Sequence, residues 1–378
     1  MKEKAIAVGK SLCDTMMRKY DAPELPPKQT FLYHQGVFLS GMLNVYKICN
    51  EEKYFEYAKK WVDSIIDKDG NILEYDYNNT EVIQPGIDKR SIDHIQPGIL
   101  LYRLYEKTGD ERYKIALKTL MNILKDWPKN KAGGFWHKEC HPYQMWLDSL
   151  YMGGPIRAEY AAFIGESFWL DEAIEQIFIM YENMYDKKSG LMLHAWDESK
   201  EAVWADDETG LSEEVWGRAL GWYVYAITDI LSFTPADHPK RAGVVEIEKK
   251  LLGNLMKYRD SDTKMWYQVV DKGECEGNWI ETSCSCLFTA AFAKAVSLGV
   301  LDKNLTEYVN ESFESIVSRL GGTCDNLSVD GVCIGTSVCN YQGYIERPTC
   351  SNDLHGVGAF LLMCAAVATS NGGIKYGA

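Results

Sequence analysis

Within the run YQMWLDSLYMGGP, residues 143–155, Asp148 is the single carboxylate in otherwise aromatic, aliphatic or small company. Such an acid either caps a helix start, with Ser149 beside it, or carries a proton in chemistry. Asp93 in SIDH and Asp353 in SNDLH also stand just ahead of apolar runs, and capping accounts for them equally well. His137 and His141 have the i, i+4 spacing of a metal-binding pair. That spacing works only on a helix, and Gly133, Gly134 and Pro142 oppose one there. Trp216 and Trp222 are core residues by default. Arg218 is different, because it lies one helical turn from Trp222 in an apolar stretch where an unpaired guanidinium is costly.

The elements that must hold these residues read as helices. Tyr54, Ala58, Trp61, Val62 and Ile65 recur on one helical face, and the pattern returns from Tyr113 to Leu124 and from Trp169 to Tyr181. Ahead of each lies a polar turn, and ahead of the turn a second apolar helix rich in Gly and Ala, which suits close packing on several sides. Weaker copies follow, with HGVGAFLLMCAAVAT as a last inner helix and the N-terminal segment as an outer one. About six hairpins repeating every 55 to 70 residues or so predict an all-α fold, an (α/α)6 barrel over residues 1–378 as a single domain. An open solenoid is the alternative, but it needs atypical capping repeats and gives no reason to gather aromatics at one end.

The connections leaving the outer helices are long and carry the unusual residues, including His137, Asp148, His194, Trp196, Trp204, Trp266 and Tyr267. By topology they share one rim, joined there by the starts of inner helices. A rim rich in Trp, Tyr and His suits a sugar ring, with aromatic faces against C–H groups and polar groups on the hydroxyls. From the residues alone the expectation is a carbohydrate-active enzyme, with a sugar-binding protein second.

Composition narrows the partners. With 40 basic and 54 acidic residues the formal net charge is −14, so nucleic acid and anionic membranes are not expected. The N-terminal segment has charges throughout and lacks the features of a signal peptide, which predicts a cytoplasmic protein; a monomer or weak homodimer is expected. Of eleven cysteines, seven fall between Cys275 and Cys350, but the only close pair, Cys284 and Cys286, lacks the C-x2–4-C spacing of zinc sites. No metal or cofactor is expected.

With these segments assembled, the sequence resembles glycoside hydrolase family 105, the unsaturated rhamnogalacturonyl hydrolases. The carrying segments are GGFWHKE, YQMWLDSLYMGGP, GLMLHAWDES, WGRALGWY and NDLHGVGAFLL, in that order. The resemblance implies an (α/α)6 barrel and a metal-free reaction removing a 4,5-unsaturated uronic acid from the non-reducing end of short oligosaccharides. It implies that Asp148 is the general acid/base and Asp93 an assisting carboxylate. His194, Trp216, Arg218 and Trp222 would contact substrate, with His137 and His355 as further contacts.

That chemistry explains why one well-placed acid suffices. Ordinary glycosidases use two carboxylates about the anomeric carbon. Here the sugar holds a vinyl ether, and protonation at C4 leaves an oxocarbenium centre at C5, to which water adds. Desolvation by Met145, Trp146, Leu150 and Tyr151, and the charge of Asp93, are expected to raise the pKa of Asp148. Arg218, His194 and a helix start at Ser212 are expected to receive the substrate carboxylate. Distant negative charge is screened beyond about 10 Å. An unsaturated glucuronyl hydrolase shares this barrel and chemistry, but a sulfated leaving sugar calls for a basic cluster, and only Lys138 stands near the motifs. A sugar 2-epimerase would need two histidines exchanging a proton.

Overall fold

The computed structural model describes residues 1–28, 30–73, 91–323 and 325–371. Helices alternate between two rings. The inner ring holds α2 (Tyr33–Cys49), α4 (Ile99–Thr108), α6 (Asp148–Ile164), α8 (Gly217–Phe233), α10 (Thr282–Ser297) and α13 (Leu354–Ser370). The outer ring holds α1 (Lys2–Lys19), α3 (Glu52–Asp63), α5 (Glu111–Lys125), α7 (Phe168–Met184), α9 (Arg241–Leu255) and α11 (Thr306–Ser318). This is the (α/α)6 barrel the repeat predicts, and no helix among the described residues is long and apolar enough to cross a membrane.

Outer helices bury one stripe, whereas the inner helices α8, α10 and α13 bury nearly everything, as their sequences dictate. In α3 the buried residues are Tyr54, Phe55, Tyr57, Ala58, Trp61 and Val62, whereas α13 is buried without a break from Leu354 to Thr369. At the tight-turn end, α2, α4 and α6 stop at left-handed residues, Asn50 (φ 57°), Gly109 (φ 67°) and Gly165 (φ 75°). This ends each inner helix within one residue and lets the outer helix return.

The ring closes where α13 packs between α10 and α2. The seam with α2 needs glycine: a Cβ on Gly358 would lie 2.6 Å from the carbonyl carbon of Val37, and one on Gly41 would lie 2.9 Å from the Gly358 oxygen. Backbones meet there with nothing between them.

At the opposite rim the connections carry short antiparallel pairs. Strand β1 (Gln144–Trp146) pairs with β2 (Ala195–Asp197), with Met145 opposite Trp196. Strand β3 (Gly321–Thr323) pairs with β4 (Asn326–Ser328), and β5 (Val332–Cys333) with β6 (Thr349–Cys350). Between β5 and β6 lies the short α12 (Tyr341–Ile345). The connection that leaves α3 lies partly outside the described residues, as does Cys324.

Two local expectations are corrected. The third inner helix starts at Asp148, earlier than its Gly- and Pro-rich part suggests, because Leu147 and Asp148 already have helical geometry. No helix starts at Ser212; its hydroxyl accepts the Ala195 N–H at 3.0 Å, and α8 begins five residues later, at Gly217, with Trp216 as its N-cap.

Candidate active site

The inner helices all begin at the rim that carries the long connections, so residues far apart in sequence surround one cavity of about 500 Å³. Asp148 enters it as the first residue of α6, aimed by the β1–β2 pair. The Leu147 N–H donates to the His194 carbonyl at 3.0 Å, which fixes the two segments in register. Asp93 enters ahead of α4, held by an isolated bridge between Ser91 and Lys138 and by Ile92 N–H donating to the His137 carbonyl at 3.1 Å. Tyr33 and His34, at the start of α2, form another wall, and residues 335–339 with Arg347 form a third.

The two carboxylates are held differently. Asp93 Oδ2 lies 3.3 Å from Lys138 Nζ and accepts the Ser91 hydroxyl at 2.9 Å, while Oδ1 is 3.7 Å from His137 Nε2. Burial works against ionisation, but the Lys138 ammonium, His137 and Ser91 outweigh it and hold Asp93 well below the usual carboxylate range. Among the described residues no lysine or arginine pairs directly with Asp148, although the charges of Lys138 and Arg218 reach it. Its Oδ2 meets His194 Nε2 at 3.2 Å, and His194 Nδ1 meets the Tyr344 hydroxyl at 2.6 Å. Burial pushes the Tyr344 phenol well up, so it keeps its proton, and the His194 Nε2–H facing the Asp148 carboxylate donates to it.

This network reverses the expected direction of the Asp148 pKa. Burial does push it upward, but the hydrogen bond from His194 and the fields of His194 and His137 win, and the net shift is downward. The sequence neighbours invoked for desolvation are not where the balance is set. Met145 and Leu150 belong to the hydrophobic core, and the groups that outweigh desolvation come from the 137 and 194 segments.

Of the eight residues singled out in the sequence, Asp93, Asp148 and His137 line the cavity. His137 stacks on Trp146 at 4.3 Å, its Nδ1 is 2.8 Å from the Ser149 hydroxyl, and burial pulls its pKa down to about 4. His194, Trp216, Arg218, Trp222 and His355 form the layer behind, each at most 2% exposed. Trp222 stacks on Tyr151 at 4.4 Å within the core. Trp216 stacks on Tyr344 at 5.7 Å and lies 4.7 Å from the His194 ring.

Arg218 also departs from the carboxylate clamp expected of it. Nη1 donates to the Cys333 carbonyl at 2.6 Å, Nη2 to the Ile334 carbonyl at 2.8 Å, and the guanidinium lies 4.5 Å from the Trp216 ring. It braces β5 and the wall that follows. His355 Nε2 donates to the same Cys333 carbonyl at 3.0 Å, and Glu281 accepts the Cys333 N–H at 2.9 Å.

The residues missed in the sequence are Tyr33, His34 and Arg347. The first two stand at an inner-helix start, the same position that marked Asp93 and Asp353, and applying that rule to α2 would have found them. Arg347 follows the five-residue α12 and carries no periodic signal; its Nε donates to the Thr336 hydroxyl at 3.1 Å, and Nη2 donates to the Gly335 carbonyl. Burial pulls His34 down to about 4, so it is neutral above that pH.

The sequence profile of Glycosyl Hydrolase Family 88 matches residues 8–370. A solved family 105 glycoside hydrolase from C. acetobutylicum ATCC 824 is 33% identical, covers 96% of this chain and 99% of its own, and superposes with a TM-score of 0.88. The chain belongs to the family 88 and 105 glycoside hydrolases. The unsaturated rhamnogalacturonyl hydrolase YesR of Bacillus subtilis strain 168 is 23% identical over 320 residues, 83% of this chain and 82% of that protein. The unsaturated glucuronyl hydrolase of Bacillus sp. GL1, responsible for glycosaminoglycan degradation, shares the fold at 14% identity, with a TM-score of 0.71 over 99% of this chain and 98% of its own. As a member of this group, the chain is a glycoside hydrolase of the unsaturated uronyl type, with an oligosaccharide as substrate.

Proposed function

We propose that this hydrolase removes a 4,5-unsaturated galacturonyl residue from the non-reducing end of rhamnogalacturonan oligosaccharides by hydrating the C4=C5 double bond. The observation that carries the reading is the asymmetry of the two carboxylates. Asp93 is tied to Lys138 and Ser91 and stays an anion, while Asp148 is held only through His194 and is free to exchange a proton. A two-carboxylate displacement at the anomeric carbon would call for both.

In this reading Asp148 delivers its proton to C4, and the ring oxygen stabilises the cation left at C5. The Asp148 carboxylate then takes a proton from the water that adds to C5. The resulting hemiketal opens, the C5–O5 bond breaks to a ketone, and the freed C1 hemiacetal expels the neighbouring sugar. Asp148 is ionised in the empty pocket, so its proton comes with the substrate: the entering uronate anion and the loss of water both favour the neutral acid. Asp93 and Lys138 receive sugar hydroxyls. The inner-helix N-termini at the rim favour the uronate charge.

Rhamnose fits the leaving site better than a sulfated amino sugar. Among the described residues the cationic side chains on the pocket wall are engaged, Lys138 with Asp93 and Arg347 with Gly335 and Thr336, so none of them forms a free basic cluster for sulfate.

The test is a panel of lyase-generated disaccharides in heavy water, followed by loss of the near-ultraviolet absorbance of the conjugated alkene. Deuterium is expected at C4 of the released uronate, with the rhamnosyl disaccharide turned over fastest. An intact double bond in the product would overturn the hydration route, and faster turnover of glucuronyl–amino sugar disaccharides would move the specificity to glycosaminoglycan fragments.

A further inference from the structure

The α2–α13 seam that closes the ring also brings together three metal-binding side chains. His34 lies in the first turn of α2, while Asp353 and His355 are the N-cap and second residue of α13. Each offers one ligand atom, and these atoms lie within 4.8 Å of one another. We propose that His34, Asp353 and His355 bind a divalent transition-metal ion, with zinc the best match, on the wall of the pocket.

The tautomer of His355 carries the inference. Its Nε2 faces a carbonyl oxygen, that of Cys333 at 3.0 Å, and must donate a proton to it. In the neutral ring this leaves the lone pair on Nδ1, which is buried 2.6 Å from Asp353 Oδ1; in a doubly protonated ring the same nitrogen donates to that carboxylate. Either a second ring proton or a metal ion must stand between that nitrogen and the carboxylate, and His34 supplies the third donor that an ion needs and a proton does not. An imidazole whose other nitrogen donates to a carbonyl is the usual arrangement behind a metal ligand. The ring of His355 is fully buried, and His34 Nδ1 is likewise buried without a hydrogen bond.

The donor set selects the ion. Two imidazoles and one carboxylate suit zinc, cobalt or nickel, whereas magnesium and calcium require oxygen donors. Zinc bonds of about 2.0–2.2 Å draw His34 inward and part the His355–Asp353 pair slightly, movements that side-chain rotation supplies. His34 lines the pocket, so the fourth position opens onto it and takes water. The ion is not part of the hydration chemistry. It occupies space beside the substrate and acts as a reversible inhibitor.

The test uses the untagged full chain stripped with EDTA, in a Cys140→Ser/Cys275→Ser background, because those two thiols are exposed and would take zinc themselves. Calorimetric titration with zinc chloride is expected to give one ion per chain. His34→Ala and Asp353→Asn are each expected to weaken binding at least tenfold with circular dichroism unchanged. Cobalt in the unsubstituted site is expected to show visible ligand-field bands without thiolate charge transfer. Absence of saturable binding, equal affinity in both variants, or a thiolate band would overturn the site, leaving a protonated His355 as the occupant of the gap. Binding is measured without substrate, so the result stands apart from the proposed specificity.

Discussion

Replacing Arg218 with lysine separates a bracing role from a carboxylate clamp. Lysine keeps the charge but reaches one carbonyl where the guanidinium reaches two, at 2.6 and 2.8 Å, and it loses the planar stack over Trp216. A charged hydrogen bond contributes about 1.5–3 kcal/mol and a buried cation–π contact about 0.5–2 kcal/mol. The site is 2% exposed, so water replaces neither, and the expected loss is about 2–5 kcal/mol. For a chain this long, that lowers the thermal midpoint by about 3–6 °C. The freed 332–339 wall should raise KM as well. Differential scanning calorimetry beside steady-state kinetics decides: an unchanged midpoint with a raised KM would refute the bracing role and return Arg218 to the clamp.

Asp148→Asn should lower kcat by about 10²–10⁴-fold, measured by alkene absorbance, with little change in circular dichroism, since the amide keeps the shape but delivers no proton. Because activity needs protonated Asp148, rate falls as pH rises through its pKa; the limb in kcat/KM, which reports the free enzyme, should lie at lower pH than the limb in kcat, and coincident limbs would refute the substrate-borne shift. Stability should fall in two stages on acidification, read by urea midpoints. His34 and His137, neutral in the fold to about 4, favour folding fully above roughly 6.5 and lose that contribution as pH falls toward 4; Asp93 and Asp353, depressed in the fold, lose theirs below roughly 4. Asp93→Asn should flatten the lower stage and also depress turnover.

The barrel was legible because helical burial repeats locally: Tyr54 to Ile65 announces an outer helix with no knowledge of its neighbours. The rim was legible because Asp148 and Asp93 stand where apolar runs begin. The layer a side chain occupies was not, since Trp216, Arg218 and Trp222 share the first turns of α8, yet which of them reaches a cavity depends on how that helix is rotated against α10 and the 333–334 carbonyls. The pKa of Asp148 failed for a related reason. Residues adjacent in sequence suggested an apolar shell, while the charge balance is set by His194, 46 positions away.

Closure of the ring by α13 sets an order on synthesis of the chain. Five inner helices leave the ribosome before α13 does, and until it arrives α2 and α10 have no common neighbour. A nascent chain at that stage is an open crescent with an apolar flank on either side. Asp353 and His355 travel with the closing helix, and His355 is one of the two side chains that hold the Cys333 carbonyl beneath the pocket wall. Nascent or prematurely terminated chains that lack α13 therefore lack a finished wall, and catalytic competence requires the last inner helix to dock.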